Sequence, residues 1–275
     1  MKVYISADME GASGISSFHQ VDPRTKDFDA YRRVWIQDIN RLVEGAAAGG
    51  ADEVLVNESH SGMNYIYPDL LHPKARLLEG RLKAKNQMEG IDESFGVTFL
   101  LCHARAGSQG VLSHSIIVPD IWEMRLNGEP IGEIGMNTLM SSQFGVPVGL
   151  IVGDDAACLE ARELVPEIRT VVTKEVVTQF TANCFSHEQV YGDLFSQAKA
   201  AVENASAFSL YRPAAPYTLE VTFIIPAMTE LVSYIPGVKV LNPRTVSFTS
   251  DDYLELTRIR ILIVNLARMI GDQLR

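Results

Sequence analysis

A chain of 275 residues with 47% apolar side chains is long enough to bury a sizeable core, in one large domain or two small ones. Its formal charge of −10 argues against non-specific binding to nucleic acid or anionic membrane, because phosphate contacts need clustered Lys and Arg. Three cysteines, Cys102, Cys158 and Cys184, make no C-x-x-C pair and are too few for a disulfide framework, so a reduced, cytoplasmic setting is expected. The amino-terminal segment enters a strand at once, Asp8 interrupts any signal-type apolar core, and no apolar run approaches the ~20 residues of a membrane span.

The first expected element is a buried strand over Val3 to Ala7, a run of β-formers that closes on Asp8-Met9-Glu10-Gly11. Side chains at i and i+2 of extended chain project to one side, so the two carboxylates can converge beyond the strand end. Ala12 to Ser16 is a loop without the Gly-Lys-Ser/Thr ending of a phosphate-binding turn. From about Asp29 to Ala48 the apolar residues Trp35, Ile39, Leu42 and Val43 fall at helical spacing, and Gly49-Gly50 ends the helix. Glu53 to Asn57 is a second buried strand, which makes a parallel βαβ unit, and His60 follows it in Glu58-Ser59-His60-Ser61-Gly62. After a short strand at Leu77-Leu78 and a polar stretch to about Asp92, Val97 to Cys102 is the third apolar run, closing on His103-Ala104-Arg105.

Ser113 to Val118 reads as a further strand or hairpin arm. Adjacent strand residues face opposite ways, so His114 cannot readily activate Ser113 or Ser115; it is itself a candidate acid/base group or electrostatic stabiliser. Asn127-Gly128 is a turn, and a helix follows from about Ile131 to Gln143. An acid in the first turn of a helix complements its dipole, which by itself accounts for Glu133. Val146 to Val152 is a buried strand, Asp154 and Asp155 suit the N-cap of a helix from Ala156 to Leu164, and Ile168 to Val172 closes the α/β region. Beyond Val177 come a helix over Ser186 to Ala205, strands over Tyr217 to Ile225 and Thr245 to Thr249, and a helix from Asp251 to about Gln273 that is apolar nearly all round. His19, His72 and His187 sit in polar, loop-like contexts and read as surface residues.

The expected fold is therefore α/β: three layers around a mainly parallel sheet over residues 1–180, with a smaller C-terminal α+β subdomain over residues 181–275 packed on it and involved in assembly. In such a sheet, ligands bind beyond the carboxyl ends of the strands. Three strands ending on potential metal ligands (Asp8 with Glu10, His60, His103) favour a metal site over three unrelated loops.

With these residues in place, the chain resembles the zinc-dependent D-aminopeptidase family, the metallopeptidases of bacterial dipeptide operons. The likeness rests on Ser6-Ala7-Asp8-Met9-Glu10-Gly11, Val56-Asn57-Glu58-Ser59-His60-Ser61, His103-Ala104-Arg105-Ala106, Gly110-Val111-Leu112-Ser113-His114-Ser115 and Gly132-Glu133-Ile134-Gly135-Met136-Asn137, and spans the first 155 residues in the family's order. The resemblance implies metal ligands at Asp8, Glu10, His60, His103 and Glu133, a catalytic residue at His114, and two Zn2+ per subunit. It also implies short peptide substrates with an N-terminal D-residue and a cytoplasmic homo-oligomer, a decameric ring. Imidazole and carboxylate suit zinc, and Asp8, at the strand end, is the expected bridge. The same ligand types also serve a two-metal phosphoesterase or another amidohydrolase; only Arg105 lies close in sequence to a ligand to support the former. A non-catalytic peptide-binding protein and a zinc-stabilised structural protein are the non-enzymatic alternatives.

Overall fold

A computed structural model of the chain describes residues 1–274; Arg275, the end of the expected second region, lies outside them. In order, the elements are β1 (Lys2–Ala7), α1 (Phe18–Val21), α2 (Phe28–Ala48), β2 (Glu53–Glu58), β3 (Ala75–Leu78), β4 (Phe95–Leu101), β5 (Ile121–Leu126) and β6 (Glu129–Pro130). Then follow α3 (Glu133–Gln143), β7 (Val148–Asp154), α4 (Asp155–Leu164), β8 (Arg169–Thr178), β9 (Thr181–Cys184) and α5 (His187–Glu203). The chain ends with β10 (Tyr217–Phe223), α6 (Pro226–Val232), β11 (Lys239–Asn242), β12 (Thr245–Ser250) and α7 (Tyr253–Gly271).

Seven strands form one sheet in the order β3-β2-β1-β4-β7-β8-β9, parallel throughout except for the edge strand β9. The apolar runs read from the sequence are its central strands, buried on both faces, as parallel strands must be. The chain builds outward from β1 to β2 and β3, then returns to lay β4 on the other side of β1. That reversal opens a crevice at the carboxyl ends of β1 and β4. Register aligns three of those ends: Ala7 pairs with Glu58 of β2 and with Leu101 of β4. Asp8, His60 and His103 therefore leave the sheet along one edge.

One face of the sheet carries α2 and α5, with Trp35, Ile39, Leu194 and Ala198 packed on Val3, Ile5, Phe99 and Leu150. The other face meets α3 and α4, and beyond them a second, antiparallel sheet in the order β11-β12-β10-β5-β6. Helix α7 joins this second body to α3, where the Tyr253 hydroxyl donates to the Met136 carbonyl at 2.9 Å. No helix among the described residues is long and apolar enough to cross a membrane. The three cysteines are unpaired.

The structure departs from the sequence reading at several places besides the short elements α1, α6 and β11, which that reading did not contain. Ser113 to Val118 is an irregular loop, not a strand: Leu112 and Ile116 both take left-handed backbone, with φ of 53° and 65°, and the Ile116 N–H is used by a carboxylate. Within that loop the Ser113 hydroxyl donates to the Ser108 carbonyl and Ser115 accepts from the Ala106 N–H, so neither is poised as a nucleophile. The strand lies later, at β5, whose partner β10 is almost 100 residues away and leaves no local trace. Finally, β8 runs on to Thr178 and turns back into β9; α5, expected in the second region, packs on α2, while β5 and β6 join the second sheet. The two sheets thus do not divide the chain at residue 180.

Gly11, in a 3-10 turn over Met9–Gly11, shows how tightly the crevice is built. A Cβ there would lie 2.5 Å from the Cys102 nitrogen and 2.7 Å from the Val152 carbonyl oxygen, both backbone atoms of the sheet. Gly11→Ala is expected to lower stability by about 1–3 kcal/mol, the usual range for overpacking, read as a lower urea midpoint. An unchanged midpoint would mean that the turn yields without cost.

Candidate metal centre

Each polar side chain in the crevice is aimed by a local device. Asp8 caps the 3-10 turn, accepting from the Met9 N–H at 3.0 Å. The buried Lys174 ammonium of β8 donates to the carbonyls of Glu10 at 2.7 Å and Ala12 at 2.9 Å, which holds the turn in shape. Glu58 accepts from the N–H groups of Tyr65 and Ile66 at 2.7 and 2.9 Å and so closes the loop bearing His60. Glu133 opens α3, where the helix's free N–H groups favour a negative charge.

His60 places Nδ1 3.2 Å from Asp8 Oδ1 and 3.0 Å from Glu10 Oε2. Its Nε2 lies 2.7 Å from the carbonyl of Val21, the last residue of α1, whose oxygen has no partner inside that helix. A carbonyl can only accept, so Nε2 carries a proton and Nδ1 is the nitrogen left to the acids. His103 repeats the arrangement with its nitrogens exchanged. Its Nδ1 donates to the Ala104 carbonyl at 3.0 Å, and Nε2, buried without a hydrogen-bond partner, faces Asp8 Oδ2 at 3.6 Å and Glu133 Oε1 at 3.4 Å. The ligand atoms of Asp8, Glu10 and His60 all lie within 4.8 Å of one another, as do those of Asp8, Cys102, His103 and Glu133. Two clusters therefore meet at Asp8.

All five side chains are buried, and the acids and imidazoles titrate against each other. Burial and then the charge of Glu10 hold the Asp8 carboxyl well above the usual carboxylate range. Burial also pushes Glu10 and Glu133 upward, but His60 beside the first and His103 beside the second outweigh it, leaving Glu10 well below its ordinary value and Glu133 at about 2. For the imidazoles burial works downward, and the facing carboxylates overcome it: His60 is raised well above its usual value and His103 to about 10. The Cys102 thiol is pushed up by burial and then by Glu133 and Asp8, which keeps it protonated. Carboxylates and imidazole lone pairs crowded together from opposite sides need a positive charge between them, and protons or divalent cations can supply it. The residues fit a pair of cations sharing Asp8.

His114 stands beside this set. Its ring stacks on His103 with centroids 3.8 Å apart and 12° between planes, and Phe18 meets it edge-on at 5.9 Å. Nδ1 donates to the Leu112 carbonyl at 2.7 Å, which leaves Nε2 with its lone pair. Burial, then the neighbouring His103, push its pKa down to about 4. His114, Asp8, Glu10, His60 and Glu133 all line one cavity of about 650 Å3. Arg105 does not line it; its N–H is bound by Glu160 at 2.9 Å. His19 and His187 are exposed and His72 is half-buried, all away from this cavity.

Sequence reading missed the amide that ties the acids together. Gln87, in the polar stretch before β4, donates its side-chain N–H to Glu133 and, at 3.5 Å, to Asp8 Oδ2, while Asn137, one helical turn beyond Glu133, donates to Gln87 Oε1 at 2.9 Å. The Gln87 carbonyl in turn accepts from Ser6 and Asn57 at 2.7 and 2.6 Å. Lys83, also buried, donates to Asn57 Oδ1 at 2.8 Å and to the Glu58 carbonyl at 2.6 Å. One signal was available: Asn57 is an amide inside an apolar strand, and a buried amide needs partners. Asp154 caps α4 through Oδ1 as expected, and its Oδ2 also accepts from the Val111 N–H at 2.5 Å, fixing the start of the His114 loop.

The sequence profile of the D-aminopeptidase family, peptidase M55, matches residues 1–261 of this chain. The chain belongs to the D-aminopeptidase family. A D-aminopeptidase of Bacillus subtilis (strain 168) is 33% identical over 269 residues, 97% of this chain and 98% of the relative. Among solved structures, the Zn-dependent D-aminopeptidase DppA from Bacillus subtilis, described as a self-compartmentalizing protease, superposes with a TM-score of 0.94 at 32% identity, covering 98% of both chains. The family likeness read from the first 155 residues thus extends over the tail.

Because the facing carboxylates raise both imidazoles, His60 well above its usual value and His103 to about 10, uptake of a divalent cation competes with protons, so affinity rises with pH. Titration calorimetry with Zn2+ near pH 7, in buffers of different ionisation heat, is expected to show release of about one to two protons per ion. Heats independent of the buffer would contradict this electrostatic account.

Proposed function

We propose that this chain is a zinc-dependent D-aminopeptidase that removes the N-terminal residue from short peptides. In this reading Asp8, Glu10, His60, His103 and Glu133 hold two zinc ions, with Asp8 between them, and His114 is the acid/base residue. The observation that carries it is the pair of imidazoles whose outer nitrogens are bound to the carbonyls of Val21 and Ala104 and whose inner nitrogens face the shared Asp8. Family membership supports the reaction, and the zinc dependence of DppA supports the metal.

Zinc, when bound, supplies Lewis-acid polarisation of the scissile carbonyl and of the attacking water. The chain's own groups do the rest. The Leu112 carbonyl fixes the His114 proton on Nδ1, so Nε2 can accept a proton from the attacking water and pass it to the leaving amine. A depressed pKa keeps that nitrogen unprotonated at neutral pH. Stacking on His103 and contact with Phe18 hold the ring against the ligand set. Gln87 and Asn137 keep Glu133 and Asp8 oriented. Arg105, the cation close in sequence to a ligand, does not line the cavity, and it is family membership that favours the peptidase over the phosphoesterase alternative.

We also read the chain as a cytoplasmic homo-oligomer, a decameric ring that encloses its active sites. Unpaired thiols suit a reducing compartment. Trp122, Leu159 and Val177, each more than half exposed, line a second cavity of about 1020 Å3 next to the His114 loop, an apolar surface of the kind that subunits cover. Light scattering on the purified protein is expected to give a multimer of one size; a monomer would remove the assembly from this reading.

The reaction is tested with paired D- and L-alanyl peptides, with and without chelator, alongside zinc content. Hydrolysis of the D-peptide that chelator abolishes is the expected result; equal or greater hydrolysis of the L-peptide would overturn the stereochemical assignment. His114→Ala is expected to retain its zinc and lower kcat by ~10²–10⁴-fold. Loss of zinc from that variant would make His114 a ligand instead.

A further inference from the structure

The cavity at the candidate metal centre is lined by three buried acids, Asp8, Glu10 and Glu133, and by less buried charges of both signs, Asp22 and Asp272 beside three arginines. Arg24, Arg81 and Arg268 all line it, but they are not equivalent. Arg24 is committed to Asp22, with Nη2 2.8 Å from Oδ2 and Nε 2.9 Å from Oδ1. Arg268 is likewise engaged within the chain. Arg81 is exposed and has no hydrogen-bond or ion-pair partner among the described residues, although it lines the cavity that holds those three buried carboxylates.

Arg81 is nevertheless not on a loose loop. The preceding Gly80 N–H donates to the Met63 carbonyl at 2.5 Å. Two residues later, the Lys83 ammonium is buried and bound to Asn57 Oδ1 and the Glu58 carbonyl, on the strand that leads into His60. The backbone bearing Arg81 is thus fixed relative to the ligand set on both sides. A guanidinium lining a reaction cavity is suited to a planar anion, which it can bind through two parallel N–H donors.

A short peptide offers one such anion, its C-terminal carboxylate. An aminopeptidase must bring the first peptide bond to the ligand set and to His114, so the rest of the substrate runs from there into the remainder of the cavity. Each residue extends it by at most ~3.3–3.6 Å, so only a peptide of a few residues ends within such a cavity. We propose that Arg81 binds the C-terminal carboxylate of the substrate and thereby selects short peptides with a free carboxyl end. This assignment rests on the aminopeptidase reading and adds a specificity-determining residue to it.

The test compares wild type with Arg81→Gln on two substrates that differ only at the end distant from the cleaved bond, a D-alanyl dipeptide and its C-terminal amide. Zinc content and melting temperature are measured on both proteins, so that a disturbed centre is recognised. Wild type is expected to prefer the free acid, and the acid-to-amide ratio of kcat/KM is expected to fall roughly tenfold in Arg81→Gln, mainly through KM for the acid. Arg81→Lys should restore part of the preference, because the charge returns without the fork. An unchanged acid-to-amide ratio in Arg81→Gln overturns the assignment while leaving the aminopeptidase reading standing. Zinc-loaded wild type that cleaves neither substrate overturns both.

Discussion

Two histidines, each held by one nitrogen to a backbone carbonyl, set the chemistry of this protein. His60 spends Nε2 on Val21 and His103 spends Nδ1 on Ala104, so each has a single nitrogen left, and it faces carboxylates. Those carboxylates are themselves buried, which makes the site strongly unfavourable unless positive charge enters it. Protons can supply that charge, and in the reading proposed above divalent cations do. The same desolvation that raises the cost of the acids is what makes the cluster suited to a cation.

The fold supplies this cluster by reversing direction at its centre. Since β1 pairs on both sides with parallel strands in aligned register, three strand ends deliver side chains to one small volume. Loops beyond a sheet edge lose the regular hydrogen bonding of the strands, and buried cations replace it: Lys174 binds carbonyls of the Glu10 turn, and Lys83 binds the end of β2. Gln87 connects this scaffold to the acids, contacting two of the five candidate ligands. Positions that hold no metal are therefore as closely specified as those that could.

Much of this was legible because the central strands are buried on both faces and read as unbroken apolar runs. Asp8, Glu10, His60 and His103 stand out at the points where those runs stop. Glu133 does not, since an acid at the start of a helix has an ordinary explanation; its partner His103 comes from another element, beyond the end of β4. His114 was noticeable as a histidine, but the strand assigned to it was wrong. The β-branched run Ile116-Ile117-Val118 beside it suits a strand, while Leu112 and Ile116 take left-handed backbone and give their N–H groups to Gln179 and Glu133, on other elements of the chain.

By itself, then, the sequence determined the parallel sheet, its helices and which polar side chains end its strands, because burial on two faces imposes a pattern that neighbouring residues carry. Tertiary structure alone decided which nitrogen each histidine presents, that Gln87 and Lys83 are buried beside the acids, and that β5 joins strands near the other end of the chain. Those outcomes depend on a hydrogen-bond acceptor or a strand partner contributed from elsewhere in the polypeptide, and no local pattern encodes a partner that folding has yet to bring near.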